Sequence, residues 1–280
     1  MATEKKGMSS ADFEAAIFEL EGSSEYKNIL VYGDSGVGKT VLAGSLPGKN
    51  FWFAGEPGYI SAIRLGGKGK GRLIPDTASA LAGVAWLEDG AAKEFDWLVV
   101  DGASTMGNKF LLGYAAEAFD ANPMKRAHRN LPDKPDYFNT QNFMKGWVAR
   151  LIDLPCNVLI TAHTMRTEDT DGELLVLPGI QGKGGEVSNY ICGLMHCVGY
   201  LDIRMRKAEG KPPEEVRRLL WRETRDPKTD VKYFAKDQFN MLPRWMDDTN
   251  MTEVLQTIDA GEEQPAAPVP VKATRRRARA

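Results

Sequence analysis

Gly33-Asp34-Ser35-Gly36-Val37-Gly38-Lys39-Thr40 follows the apolar run Asn28-Ile29-Leu30-Val31-Tyr32 and leads into the helical Val41-Leu42-Ala43. The eight residues match G-x-x-x-x-G-K-[ST], and the order strand, glycine loop, helix is the context in which that pattern carries meaning. Glycines at 33, 36 and 38 open backbone angles closed to residues with a Cβ, so successive N–H groups can turn inward around an anion. The first turn of the following helix adds free N–H groups and a positive dipole end. Lys39 then reaches the outer phosphates of a nucleotide, and the Thr40 hydroxyl is placed to ligate Mg²⁺.

Such a site needs a carboxylate at the tip of a neighbouring buried strand. Phe95-Asp96-Trp97-Leu98-Val99-Val100-Asp101 supplies one: Trp97 to Val100 is apolar on both faces, as a central parallel strand is, and Asp101 closes it. Outward from these two strands, apolar runs and helical periodicities alternate. Asn50 to Ala54 reads as a second strand ending at Gly55-Glu56-Pro57-Gly58, and Leu73-Ile74 as a short third. Asp76 or Thr77 caps a helix through Leu81, Val84, Ala85 and Trp86. A long helical excursion from Asn108 to Ala149 is interrupted near Met124 to Asn130 and at Pro132 and Pro135. Asn157 to Thr161 is the next buried strand. Glu173 to Leu177, Val198 to Ile203, Val216 to Trp221 and Lys232 to Ala235 read as short strands forming an antiparallel extension. Asn250 and Glu253 resemble a capping box for a last helix. The fold class expected is α/β, with a mostly parallel sheet flanked by helices.

The chain has 280 residues, 42% hydrophobic and 26% charged, enough to bury a sizeable core. Residues 1–25 read as an N-terminal segment, 26–260 as the nucleotide-binding domain, and 261–280 as a disordered Pro/Ala linker with a basic tail. No apolar run approaches a bilayer span, and with no apolar leader before it the protein is expected in the cytoplasm, without a membrane partner. Net charge is −2, yet five of the last nine residues are Lys or Arg, so the rest is more acidic than the total. Nucleic-acid contact then has to come from local patches, and the tail is either a solubilising end or a DNA tether. Cys156, Cys192 and Cys197 read as reduced, buried thiols rather than a disulfide framework or a metal site.

With these pieces in order, the chain resembles the RecA-like P-loop ATPases over roughly Tyr26 to Trp245, most closely the phage nucleotide-binding or Sak-type single-strand annealing proteins. That resemblance implies ATP and Mg²⁺ as ligands, single-stranded DNA as partner, a homo-oligomer, and work in phage recombination or replication in the host cytoplasm beside a single-strand binding protein or replisome component. It implies that Glu56 orients the attacking water and that His163, ending Thr161-Ala162-His163, senses the γ-phosphate; a turn glutamate and a structural histidine are the plain alternatives. Pro178 to Glu186 stands where relatives have a mobile DNA-binding loop, with Gln181 and Lys183 as donors. Lys236 in Ala235-Lys236-Asp237-Gln238-Phe239 stands where relatives reach a neighbouring protomer's nucleotide, although Gln238 replaces their arginine. Two other functions stay open: a P-loop kinase with Arg126 and Arg129 in a lid, and an ATP-gated adaptor or helicase loader.

Overall fold

In the computed structural model, the described residues are 26–169, 171–181, 185–206 and 212–262. Strand β1 (Asn28–Tyr32) is buried along its whole length. Its side chains alternate between two cores, Leu30 and Tyr32 entering one and Ile29 and Val31 the other. That two-sided burial is why the run carries no polar alternation. Around it lie β2 (Asn50–Ala54), β3 (Lys70–Leu73), β4 (Trp97–Asp101), β5 (Asn157–Ala162), β8 (Cys197–Arg206), β9 (Glu214–Leu220) and β13 (Trp245–Asp247), in the spatial order β13-β9-β8-β1-β5-β4-β2-β3. From β3 to β8 every neighbouring pair is parallel; β9 and β13 then add antiparallel, and β12 (Lys236–Asp237) pairs antiparallel with β8.

Strand β5 sits between β1 and β4, so the ends of all three converge. One face is covered by α3 (Thr77–Glu88), α4 (Ala103–Ala121), α5 (Lys134–Ile152) and α6 (Glu186–Leu194), through Val84, Phe110, Trp147 and Ile191. The other is covered by α1 (Lys39–Ala43), α2 (Tyr59–Arg64) and α7 (Met251–Glu262), through Leu42, Ala62, Val254 and Ile258. Burial of each large apolar side chain contributes about 1.5–3 kcal/mol.

The mostly parallel sheet with an antiparallel extension is as expected, with four corrections. Strands β7 (Leu174–Pro178) and β11 (Lys232–Tyr233) leave the large sheet and form a second one with β6 (Thr164–Glu168) and β10 (Thr224–Arg225), in the order β10-β11-β7-β6. The third strand is Lys70–Leu73 rather than Leu73-Ile74, because its alternating Gly and Lys at the sheet edge give no apolar signal. The long excursion is two helices, and Pro135 lies within the first turn of the second, where the missing N–H does no harm. Helix α7 runs to Glu262, past the expected start of the linker, with Gly261 packed on Met241. Asn250 Oδ1 accepts from the Glu253 N–H at 3.0 Å, the anticipated cap. The N-terminal segment, Lys183 and the basic tail lie outside the described residues.

Candidate active site

The glycine loop turns at the C-terminal end of β1. Gly36 and Gly38 have φ of 83° and 103°, left-handed angles that glycine adopts without strain. Gly33 is demanded by closeness instead: a Cβ there would stand 2.3 Å from the Leu201 carbonyl oxygen on β8. The Lys39 ammonium folds over the loop, donating to the Gly33 and Asp34 carbonyls at 2.9 and 2.7 Å. Burial pulls its pKa down, against the pull of the Asp101, Asp34 and Glu56 carboxylates. A cation held only by loop carbonyls beside a concave run of N–H groups fits a polyphosphate.

Asp101, at the end of β4, is buried, and its carboxylate receives two hydroxyls. Thr40 Oγ1 stands 3.0 and 3.1 Å from its two oxygens, and Thr161 Oγ1 donates at 2.7 Å. Burial raises the Asp101 pKa, while the Thr161 and Thr40 hydroxyls oppose the rise. Thr161 also accepts the Gly102 N–H at 2.9 Å, tying β5 to the chain just after Asp101. Hydroxyl and carboxylate oxygens brought together in this way form a hard donor set that suits Mg²⁺.

Glu56 reaches the same cleft from the end of β2. A Cβ built on Gly58 would stand 3.7 Å from Glu56 Cγ and 3.8 Å from Asp101 Oδ2, so the two carboxylates flank one point. The backbone before Glu56 is held by Lys109 of α4, whose ammonium donates to the Gly55 carbonyl, and by the Gly55 N–H donating to Asp101 O at 2.7 Å. His163, beyond β5, lines the cleft; its N–H donates to Ser104 Oγ at 2.9 Å. Burial and then the Lys39 charge lower its pKa, favouring neutral imidazole. The cleft, about 280 Å³, thus gathers the glycine loop, Lys39, Thr40, Glu56, Asp101 and His163.

Sequence reasoning missed Arg217. It comes from β9, yet its Nε donates to the Val37 carbonyl at 3.2 Å and its side chain lies over Gly38. Asp248 clamps its backbone, accepting the Arg217 N–H at 2.9 Å and donating to its carbonyl at 2.7 Å. No local signal marks it, since its position follows from the β8–β9 hairpin folding back on the loop. Thr161 of β5 and Lys109 of α4 carry no local signal either, since strand register and helix packing bring them to Asp101 and Gly55.

A family model for an AAA domain matches residues 25–239, more than half of the chain. The chain belongs to the AAA-domain family. The AAA domain is a P-loop NTPase type, in agreement with the loop geometry, and spans every residue of the cleft named above. No curated protein matches the chain.

The remaining expected residues stand apart from the cleft of the AAA domain. Gln181 packs over Gly107 and donates to the Asn108 side chain. The Lys236 ammonium is engaged at the C-terminal end of α6, donating to the Met195 carbonyl at 2.7 Å and the Gly193 carbonyl at 3.2 Å. Arg126 and Arg129, the cations of a kinase lid, are bound to Asp136 and Asp120. All three cysteines are free and buried, and burial pushes the Cys156 and Cys192 thiols up to about 11 and about 12. Among the described residues there is no cluster of metal-ligating side chains of the His/Cys/Asp/Glu kind, and no helix is long and apolar enough to cross a membrane.

Proposed function

We propose that this AAA domain is an ATP- and Mg²⁺-dependent, RecA-like ATPase that acts on single-stranded DNA, in phage recombination or replication. The observation that carries the ATPase reading is the meeting of Thr40 and Asp101 at 3.0 Å beneath the glycine loop, with the Glu56 carboxylate across Gly58 from Asp101.

In this reading the loop N–H groups and Lys39 take the phosphates, Lys39 exchanging its two loop carbonyls for phosphate oxygens. Thr40 and Asp101 hold Mg²⁺, which when bound supplies positive charge against the polyphosphate. Glu56 accepts a proton from the attacking water and aims its lone pair at the γ-phosphorus. His163, neutral at pH 7, donates one N–H toward the γ-phosphate. Arg217 adds a second cation from within the same chain, beside Gly38.

The DNA role draws on the resemblance and on one contact. The Gly179 N–H donates to the His163 carbonyl at 2.6 Å, so the start of the glycine-rich loop containing Gln181 and Lys183 is bonded to the residue facing the γ-phosphate. In this reading a shift of His163 on hydrolysis is passed on to Gly179 through that bond. A role for Lys236 toward a neighbouring protomer requires it to leave its α6 carbonyls. The ion-paired state of Arg126 and Arg129 disfavours the kinase alternative. Steady-state ATPase assays with and without single-stranded DNA test the proposal: stimulation by DNA is expected, nucleotide binding without turnover would favour an adaptor, and failure to bind ATP would reject the whole reading.

A further inference from the structure

One edge of the large sheet carries a run of exposed cations. Strand β3 and the residues before it read Lys68-Gly69-Lys70-Gly71-Arg72, and all five are exposed. Lys49, beside them at the start of β2, is exposed too. None of Lys49, Lys68, Lys70 and Arg72 forms an ion pair among the described residues. Three carboxylates stand near them: Asp96 accepts the Lys49 N–H at 2.7 Å, Asp76 accepts the Ser79 N–H at 2.7 Å and feels the Arg72 charge, and Glu94 lines a groove with Lys68 and Lys70. In a chain of net charge −2, four exposed cations against three carboxylates leave this edge locally positive, and the flexible Lys68, Lys70 and Arg72 side chains are open to an anion from outside.

The shape narrows the anion. The cations run between two grooves, one of about 170 Å³ walled by Tyr59, Ala62 and Ile63 of α2, the other of about 640 Å³ beside Phe95. Lys70 and Arg72 lie beside Phe51 and Phe53 in register, on one face of the strand and about 6.6 Å apart at about 3.3 Å per residue. That repeat suits the successive phosphates of an extended chain. Between them the strand is bare: a Cβ on Gly71 would strike Trp52 at 2.7 Å, so glycine keeps this stretch flush with the sheet. On the same face as Lys70 and Arg72, the 44% exposed Trp86 packs on Phe51, the register partner of Lys70, and offers an aromatic surface to unstacked bases.

We infer that the β3 edge binds the backbone of a single-stranded nucleic acid. The partner class is the one proposed above, but the surface is not the glycine-rich loop, and the assignment stands on charge and shape whether or not that loop touches DNA. The strand leads toward the catalytic end of the cleft, since Leu73 pairs with Ala54, two residues before Glu56.

Fluorescence anisotropy of a labelled single-stranded oligonucleotide with the full chain, at several salt concentrations, tests this. The variant Lys68→Gln/Lys70→Gln/Arg72→Gln should bind more weakly, with a slope of log affinity against log salt shallower by about 2, at roughly 0.7 per lost phosphate contact. Its nucleotide binding should be unchanged. Lys70→Glu separates a binding role from mere protection of an exposed strand edge, because either charge guards an edge but only the positive one holds phosphate. Weakened DNA binding by Lys70→Glu supports the inference. Unchanged binding and slope in both variants, with wild-type protein binding DNA, overturns it and leaves the DNA role standing; tighter binding to duplex than to single strand overturns the single-strand assignment; no DNA binding at all overturns both.

Discussion

Lys39 and Glu56 face the same cleft but act at different stages, so their removal should separate binding from turnover. Lys39→Ala deletes a cation held only by loop carbonyls and should abolish ATP binding with the melting temperature nearly unchanged. Glu56→Gln should keep ATP affinity and slow hydrolysis by roughly 10²–10⁴, the range for loss of a general base. Equilibrium binding beside single-turnover hydrolysis checks both. Asp101 brings a pH dependence. Burial raises its folded pKa, so the carboxyl stays protonated to a higher pH than an exposed aspartate, whose pKa is about 3.9. Mg²⁺ takes the ionised form; Mg²⁺-dependent nucleotide affinity should therefore fall as pH drops through that raised value, above the usual aspartate range. Asp101→Asn should remove this pH dependence and weaken Mg²⁺-dependent nucleotide binding, read as a higher Mg²⁺ midpoint in a titration of Mg²⁺ at fixed nucleotide.

Elements meet at two contacts that link the glycine loop to distant strands. Arg217 ties β9 to the loop through the Val37 carbonyl. Charge-assisted hydrogen bonds contribute about 1.5–3 kcal/mol, so Arg217→Ala should weaken ATP binding by about ten- to a hundredfold, with Lys at this position restoring part of the loss. Calorimetric titration of ATP into each variant measures it. Tyr32, the last residue of β1, joins the second sheet to the first: its hydroxyl lies 2.6 Å from the Phe234 carbonyl and 3.0 Å from the Val176 carbonyl, with one proton to share. Tyr32→Phe should cost about 1–3 kcal/mol by leaving the part-buried Phe234 carbonyl without this donor, while the Val176 carbonyl keeps the Phe234 N–H at 2.9 Å. Faster amide exchange confined to β7 and β11 would mark that loss as a loosened second sheet, whereas uniform acceleration would not.

Across the whole molecule, stability rests on the core between the large sheet and α3, α4 and α5. Trp147 is nearly inaccessible, stacks with Phe53 at 6.1 Å between centroids, meets Phe110 edge-on, and donates from Nε1 to the Ala80 carbonyl at 3.2 Å. Trp147→Ala should cost about 3–5 kcal/mol, seen as a lower denaturant midpoint, and should reduce activity only in proportion to the unfolded fraction. The convergence of β1, β4 and β5 explains why the site is firm. Thr161 of β5 binds Asp101 of β4, which meets Thr40 above β1, and each strand is buried on both sides.

The sequence by itself determined the glycine loop, the strands before and after it, Asp101 at a strand tip, and the alternation that makes a parallel sheet. Those signals are local: glycine and lysine at fixed spacing, and apolar runs of five or six residues whose two-sided burial leaves a mark in composition. Tertiary structure alone decided what lay between distant segments. The second sheet pairs β7 with β11, residues 174–178 with 232–233, and strands of two residues carry no periodicity to read. Thr161 and Arg217 look like any strand threonine or surface arginine until register and the β8–β9 hairpin bring them to Asp101 and Gly38. Strand β3 escaped in part because an edge strand of Gly and Lys buries nothing, and burial is what writes a strand into sequence.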